Sequence, residues 1–183
     1  EILPSDWSSD VCSSDLAHMN IYEQAAKRIA SGRRTEKELK DWLTVKGFDH
    51  ADVRKVLREF CADGYIDDYA YAVDFFRYAE GKCWGKARAY RELERKGIGS
   101  VTADEAYDEY AAESIGDEMQ KAVKALKKAS SLSDLDENGH LTEKARARYA
   151  RRLFSYGFDT STIYGAIEKI ASELKEELYS GVL

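Results

Sequence analysis

Proline is almost absent from this chain: Pro4 is the single one among 183 residues. Cysteine is scarce as well, at Cys12, Cys61 and Cys83, with no CxxC spacing. No apolar run approaches membrane length, and no basic stretch followed by an apolar core marks a secretory signal. These gaps exclude a disulfide-stapled scaffold, a zinc ribbon and a helical membrane anchor, and they point to a reduced, cytoplasmic protein. A large charge of one sign is missing too. Four of the 34 acids (Glu1, Asp6, Asp10, Asp15) lie in the first eighteen residues, leaving 30 against 28 Lys and Arg in the remainder. Net charge therefore neither demands nor excludes nucleic acid.

That opening stretch, EILPSDWSSDVCSSDLAH, has no useful periodicity. Residues 1–18 are expected to be a non-native leader, disordered or arbitrary in conformation, with Met19 as the native start. The chain after it has no proline at all, as long uninterrupted helices require.

What is present is an internal repeat. Three related triplets occur: Lys46-Gly47-Phe48, Lys96-Gly97-Ile98 and Tyr156-Gly157-Phe158. Each glycine has a leucine four residues before it (Leu43, Leu93, Leu153) and an apolar residue directly after it. At six, nine and ten residues beyond come Val53, Val56 and Leu57; then Ala103, Ala106 and Tyr107; then Ile163, Ala166 and Ile167. Glycine just past a helix can take positive φ without a Cβ clash, so each triplet reads as helix, left-handed stop, helix. A single such corner would mean little; three with matching offsets mark a repeat.

The reading is therefore all-α: three tandem three-helix repeats, about nine helices, spread as an elongated curved array. Repeat 1 is expected at 19–66, repeat 2 at 67–115 and repeat 3 at 116–183, the last with an inserted loop at 130–141. Helix one is expected at about 21–30. Thr35 with Glu38 and Thr102 with Glu105 read as capping boxes for helices two and six. Asp67 or Asp68 reads as the cap of helix four, and Cys61 as a small buried hydrophobe.

No enzyme emerges from the motifs. GxSxG, P-loop and GxGxxG patterns are all missing, His50 and His140 are far apart, and no Cys/His cluster has zinc spacing. Asp134, Asp136, Asn138 and Gly139 match the start of an EF-hand loop, but its twelfth position is Ala145 instead of a bidentate Glu. A polar capping loop is the better reading. Neither a cofactor nor a metal is expected.

Charge placement is more informative. Lys82, Lys86, Arg88, Arg91, Arg95 and Lys96 outnumber Glu92 and Glu94 across 82–96, and Lys144, Arg148, Arg151 and Arg152 share a face of helix eight beside Arg146. Helix six is acidic. A cationic stripe along the second helices would suit phosphates or an acidic protein, although either cluster alone is also an ordinary solvated face. Six of the twelve tyrosines fall in the middle unit, and the aromatics of helix four cannot all enter one core.

The segment GYIDDYAYAVDFF, followed by Gly85-x-x-Arg88 and by Leu93-x-x-Lys96-Gly97-Ile98, resembles the RecX family, bacterial regulators of the RecA recombinase. The resemblance rests on Gly64, Tyr65, Ile66, Asp67, Asp68, Tyr71, Ala72, Phe75, Gly85, Arg88, Leu93, Lys96, Gly97 and Ile98. It extends over 20–175 through the repeat. Ala89 and Cys83-Trp84 depart from the family pattern. The resemblance implies a non-enzymatic cytoplasmic monomer of the SOS response and of DNA repair and recombination. Such a protein binds along the RecA–single-stranded-DNA filament and lowers its ATPase and strand-exchange activity. The expected partner surface is Tyr65, Asp68, the cations of 82–96 and Lys144, Arg148, Arg151 and Arg152. The alternatives are a helical-repeat protein that binds single- or double-stranded DNA directly, or a scaffold for an unrelated partner.

Overall fold

A computed structural model describes residues 13–113 and 117–180, with side chains from residue 21 onward. The expected leader up to residue 12, and the expected boundary between repeats 2 and 3 at residue 115, lie outside the described residues. The described residues form nine α-helices: α1 (Ser13–Ala30), α2 (Glu36–Val45), α3 (His50–Ala62), α4 (Asp68–Gly81), α5 (Lys86–Arg95), α6 (Ser100–Glu113), α7 (Glu118–Lys127), α8 (Glu143–Tyr156) and α9 (Thr160–Ser180). A single 3-10 turn, Leu132–Asp134, and one isolated bridge between Leu135 and Leu141 interrupt the α7–α8 connection. There is no strand among the described residues, and the all-α repeat architecture holds.

The three corners are the same object built three times. Gly47, Gly97 and Gly157 take φ of 88°, 91° and 86°. In each, the glycine N–H donates to the carbonyl three residues back (Thr44, Glu94, Phe154). The next N–H reaches the carbonyl of the leucine: Phe48 to Leu43 at 3.4 Å, Ile98 to Leu93 at 3.0 Å, Phe158 to Leu153 at 3.2 Å. These paired bonds satisfy carbonyls that a helix end otherwise orphans. All three leucines are fully buried, so the stop also fixes which face turns inward.

Each corner feeds one apolar core. Ile21, Leu39, Leu43, Val53, Val56, Leu57 and Phe60 form the first, between α1, α2 and α3. Ala72, Val73, Phe76, Ala89, Leu93, Ile98, Ala103, Ala106 and Tyr110 form the second, between α4, α5 and α6. The third gathers Val123, Leu126, Tyr149, Leu153, Phe158, Ile163, Ile167 and Ile170 from α7, α8 and α9. The chain separates into two compact units, Glu1–Asp68 and Tyr69–Leu183; the second holds two of these cores.

Local signals held at α2, where Thr35 Oγ1 accepts from Glu38 N–H at 3.2 Å and Glu38 answers Thr35 N–H at 3.4 Å. They failed at α6. That helix starts at Ser100, so Thr102 and Glu105 lie inside its first turns and cap nothing. The corner geometry decides the start: the third helix of each unit begins three residues after its glycine, at His50, Ser100 and Thr160. α1 likewise begins at Ser13 and not near residue 21. Cys61 is exposed instead of buried, because the core stripe of α3 runs through residues 53, 56, 57 and 60 and leaves residue 61 on the outer side.

Candidate interaction surface

The G-x-x-R segment of the second unit is where α5 meets α8. Gly85 is extended (φ −77°, ψ 162°), and its N–H donates to the Tyr156 carbonyl at 2.8 Å. A Cβ at Gly85 would sit 2.5 Å from the Gly157 carbonyl oxygen and 2.8 Å from Phe158 N. A Cβ at Gly157 would run into the main chain of Arg88. Backbone thus packs directly on backbone, which only glycines permit. Gly157 does two jobs at once, stopping α8 and receiving α5.

Arg88 closes this joint. Its guanidinium lies 4.0 Å from the Trp84 ring and 5.6 Å from Tyr156, and Nη1 donates to the Ser155 carbonyl at 3.4 Å. Arg152 approaches the same Tyr156 ring at 5.3 Å. Arginine suits such stacking because its planar, weakly hydrated cation tolerates an aromatic face. Beside the joint, the Glu118 carboxylate accepts from Lys86 N–H at the start of α5, and burial raises its pKa. The Lys86 ammonium lies 3.8 Å from the Tyr107 ring.

The remaining cations divide into held and unpaired. Arg95 pairs with Glu92 at 2.8 Å. Arg148 grips both oxygens of Asp134 at 2.7 Å, and Tyr149 donates its hydroxyl to the same carboxylate at 2.5 Å. Burial alone would raise the Asp134 pKa; the bonds from Tyr149, Arg148 and Ser131 N–H outweigh it and hold the pKa below the ordinary carboxylate value. The first EF-hand-like position is therefore committed to fixing the loop onto α8. Asp136 accepts from Asn138 and His140 N–H, each at 2.9 Å, in a tight turn. Among the described residues, no group of three His, Cys, Asp or Glu side chains is arranged to hold a metal.

Lys82, Arg91, Lys144 and Arg151 are exposed and make no ion pair among the described residues. Lys96 lies 5.3 Å from the Tyr71 ring. Phe154, which sequence patterning alone does not single out, is 72% exposed and continues the stripe of Lys144, Arg148 and Arg151 along α8. Its signal was present: it stands beside the core residue Leu153 and off the buried register.

Tyr65 and Asp68 belong to the first unit, whereas the cations of 82–96 and of α8 belong to the second. Tyr65 is 64% exposed and packs 5.4 Å from Phe60, at an open apolar pocket of about 630 Å3 shared with Tyr22 and Ile29. Asp68 accepts the Glu36 N–H at 2.9 Å, an anion at the start of α2. Burial, helped by Glu36 and Asp67, raises its pKa.

No family model matches the chain. Curated relatives do. A regulatory protein RecX of Clostridium botulinum is 27% identical over 158 residues, 86% of this chain and 70% of the relative. That of Vibrio vulnificus is 28% identical over 81% of this chain and 92% of its own length. That of Geobacillus thermodenitrificans is 26% identical, and here the chain spans 49% of the relative. Among solved structures, a crystal structure of regulatory protein RecX superposes with a TM-score of 0.67 over 84% of this chain and 72% of the other, at 21% identity. The crystal structure of RecX from Lactobacillus salivarius gives 0.66 over 85% and 97%, at 19% identity. These relatives and folds support a RecX family protein. The solved RecX structures share its helical fold. Among the described residues, no helix is long and apolar enough to cross a membrane.

Proposed function

We propose that this RecX-family chain is a cytoplasmic, non-enzymatic regulator that binds a RecA–single-stranded-DNA filament as a monomer and lowers its ATPase and strand-exchange activity. The observation that carries the reading is the unpaired cationic flank of the second unit. Lys144, Arg151 and Phe154 on α8 and Arg91 on α5 are exposed, while the Gly85–Gly157 joint holds those two helices in fixed register. Solvated cations beside an exposed aromatic ring suit a large acidic or phosphate-bearing assembly. Arg88, Arg148 and Arg152 are held beside these groups, their guanidiniums committed to rings or to Asp134.

The test is a titration of preformed filaments with the full chain, following DNA-dependent ATP hydrolysis by RecA. Saturable inhibition is expected, and the double variant Arg91→Glu with Arg151→Glu should inhibit at least tenfold less potently while keeping its helical circular dichroism. Absence of inhibition at saturating protein would end this reading.

A further inference from the structure

The outer side of α4 carries an aromatic row on the rim of the second core: Tyr71, Phe75 and Trp84 are partly buried against it, and Tyr78 stands clear. Tyr71, Phe75 and Tyr78 recur at helical spacing, and Trp84 folds back from the following loop against two of them. Ring centroids are 6.4 Å apart for Tyr71 and Phe75, 5.9 Å for Phe75 and Tyr78, 6.3 Å for Phe75 and Trp84, and 5.8 Å for Tyr78 and Trp84. The buried stripe of the same helix is Ala72, Val73, Phe76 and Ala79, one position round. Tyr78 is 51% exposed.

Cations are threaded through the row. Lys96 lies 5.3 Å from Tyr71, Lys82 5.4 Å from Tyr78 and Arg88 4.0 Å from Trp84. Lys82 makes no ion pair among the described residues. Partly buried rings around an exposed Tyr78, with cations over Tyr71, Tyr78 and Trp84, offer π faces and phosphate partners side by side. That combination recognises unstacked bases on a charged strand, and it is indifferent to their sequence.

We propose that Tyr71, Phe75, Tyr78 and Trp84, with Lys82 and Lys96, form a stacking platform for the bases of single-stranded nucleic acid. A base lies on Tyr78 against the edge of Trp84, and Lys82 swings from the ring to the neighbouring phosphate. The platform does not rest on recognition of a recombinase and is tested without one.

The experiment is fluorescence anisotropy of the full chain with labelled oligo(dT), with an abasic oligomer of equal length and with duplex DNA. Oligo(dT) is expected to bind about tenfold or more tighter than the abasic strand, as one or two stacked bases require. Tyr78→Ala should remove most of that advantage, about fivefold or more, and leave abasic binding unchanged; Tyr78→Phe should keep it. Tyr78 is exposed, so circular dichroism should show both variants folded. Equal affinity for oligo(dT) and the abasic strand would reduce the row to a charged surface and overturn the proposal. So would an unaffected Tyr78→Ala variant, or binding to an acidic protein and to no oligomer. Filament inhibition that survives while base discrimination fails would sink the platform alone.

Discussion

Replacing Gly85 by alanine tests the joint between α5 and α8 most directly. The added Cβ would stand 2.5 Å from the Gly157 oxygen, 2.7 Å from the Gly157 carbonyl carbon and 2.8 Å from Phe158 N, all main-chain atoms that no rotamer change can move. α5 must back away. Overpacking of this kind costs about 1–3 kcal/mol. Retreat also lengthens the 2.8 Å bond from Gly85 N–H to Tyr156, a net loss of about 1 kcal/mol. It pulls Arg88 from Tyr156 as well. Against this, alanine narrows the unfolded ensemble and returns about 0.4–1 kcal/mol. The net expectation is a loss of about 2–3 kcal/mol. Gly99 supplies the control: it also stands directly before a helix, yet a Cβ there meets nothing within 4 Å. Gly99→Ala shares the helix-start and unfolded-state terms and lacks the clash. Urea unfolding followed by circular dichroism should place Gly85→Ala well below Gly99→Ala in midpoint. Equal midpoints for the two variants would refute the backbone-on-backbone account.

Gly47→Ala should cost about 1 kcal/mol from its φ of 88° alone, since a Cβ there meets nothing within 4 Å, whereas Gly157→Ala at 86° should cost clearly more because its Cβ meets Arg88; urea midpoints will rank them. Asp134→Asn should destabilise by about 1–3 kcal/mol by unpairing Arg148 and Tyr149. With the Asp134 pKa depressed in the folded chain, its contribution is full above the unfolded carboxylate value near 4 and fades as pH falls through the folded one. Thermal melts of the wild type should therefore lose more stability below about pH 4 than those of Asp134→Asn. Phe154→Ala, removing a ring that is 72% exposed, should leave the urea midpoint within about 0.5 kcal/mol and weaken filament inhibition severalfold in the ATPase titration.

The repeat was readable because a corner is a local object. Positive φ at Gly47, Gly97 and Gly157 and the leucine one turn before each are imposed within six residues, so sequence offsets carried them directly. The joint was not readable. Gly85 and Gly157 are far apart in sequence, and nothing near Gly85 says which corner will receive it. Thr102 and Glu105 satisfied a capping pattern that also occurs inside helices, and the corner overrode it. The cations showed the same limit: spacing put Arg148 and Arg151 on one face but could not show that a loop acid would bind the first and leave the second free. Phe154 was legible only as a position off the buried register beside Leu153, and its residue type did not mark it as exposed.

The glycine pair has a consequence for how such a chain can vary. Where two modules touch through side chains, every change of residue size alters the step from one to the next. Here main-chain contact sets the closest approach, and side chains such as Arg88 only seal it. Exposed residues away from it, such as Tyr78, Arg91, Lys144 and Phe154, are therefore free to drift toward a new ligand with that approach unchanged.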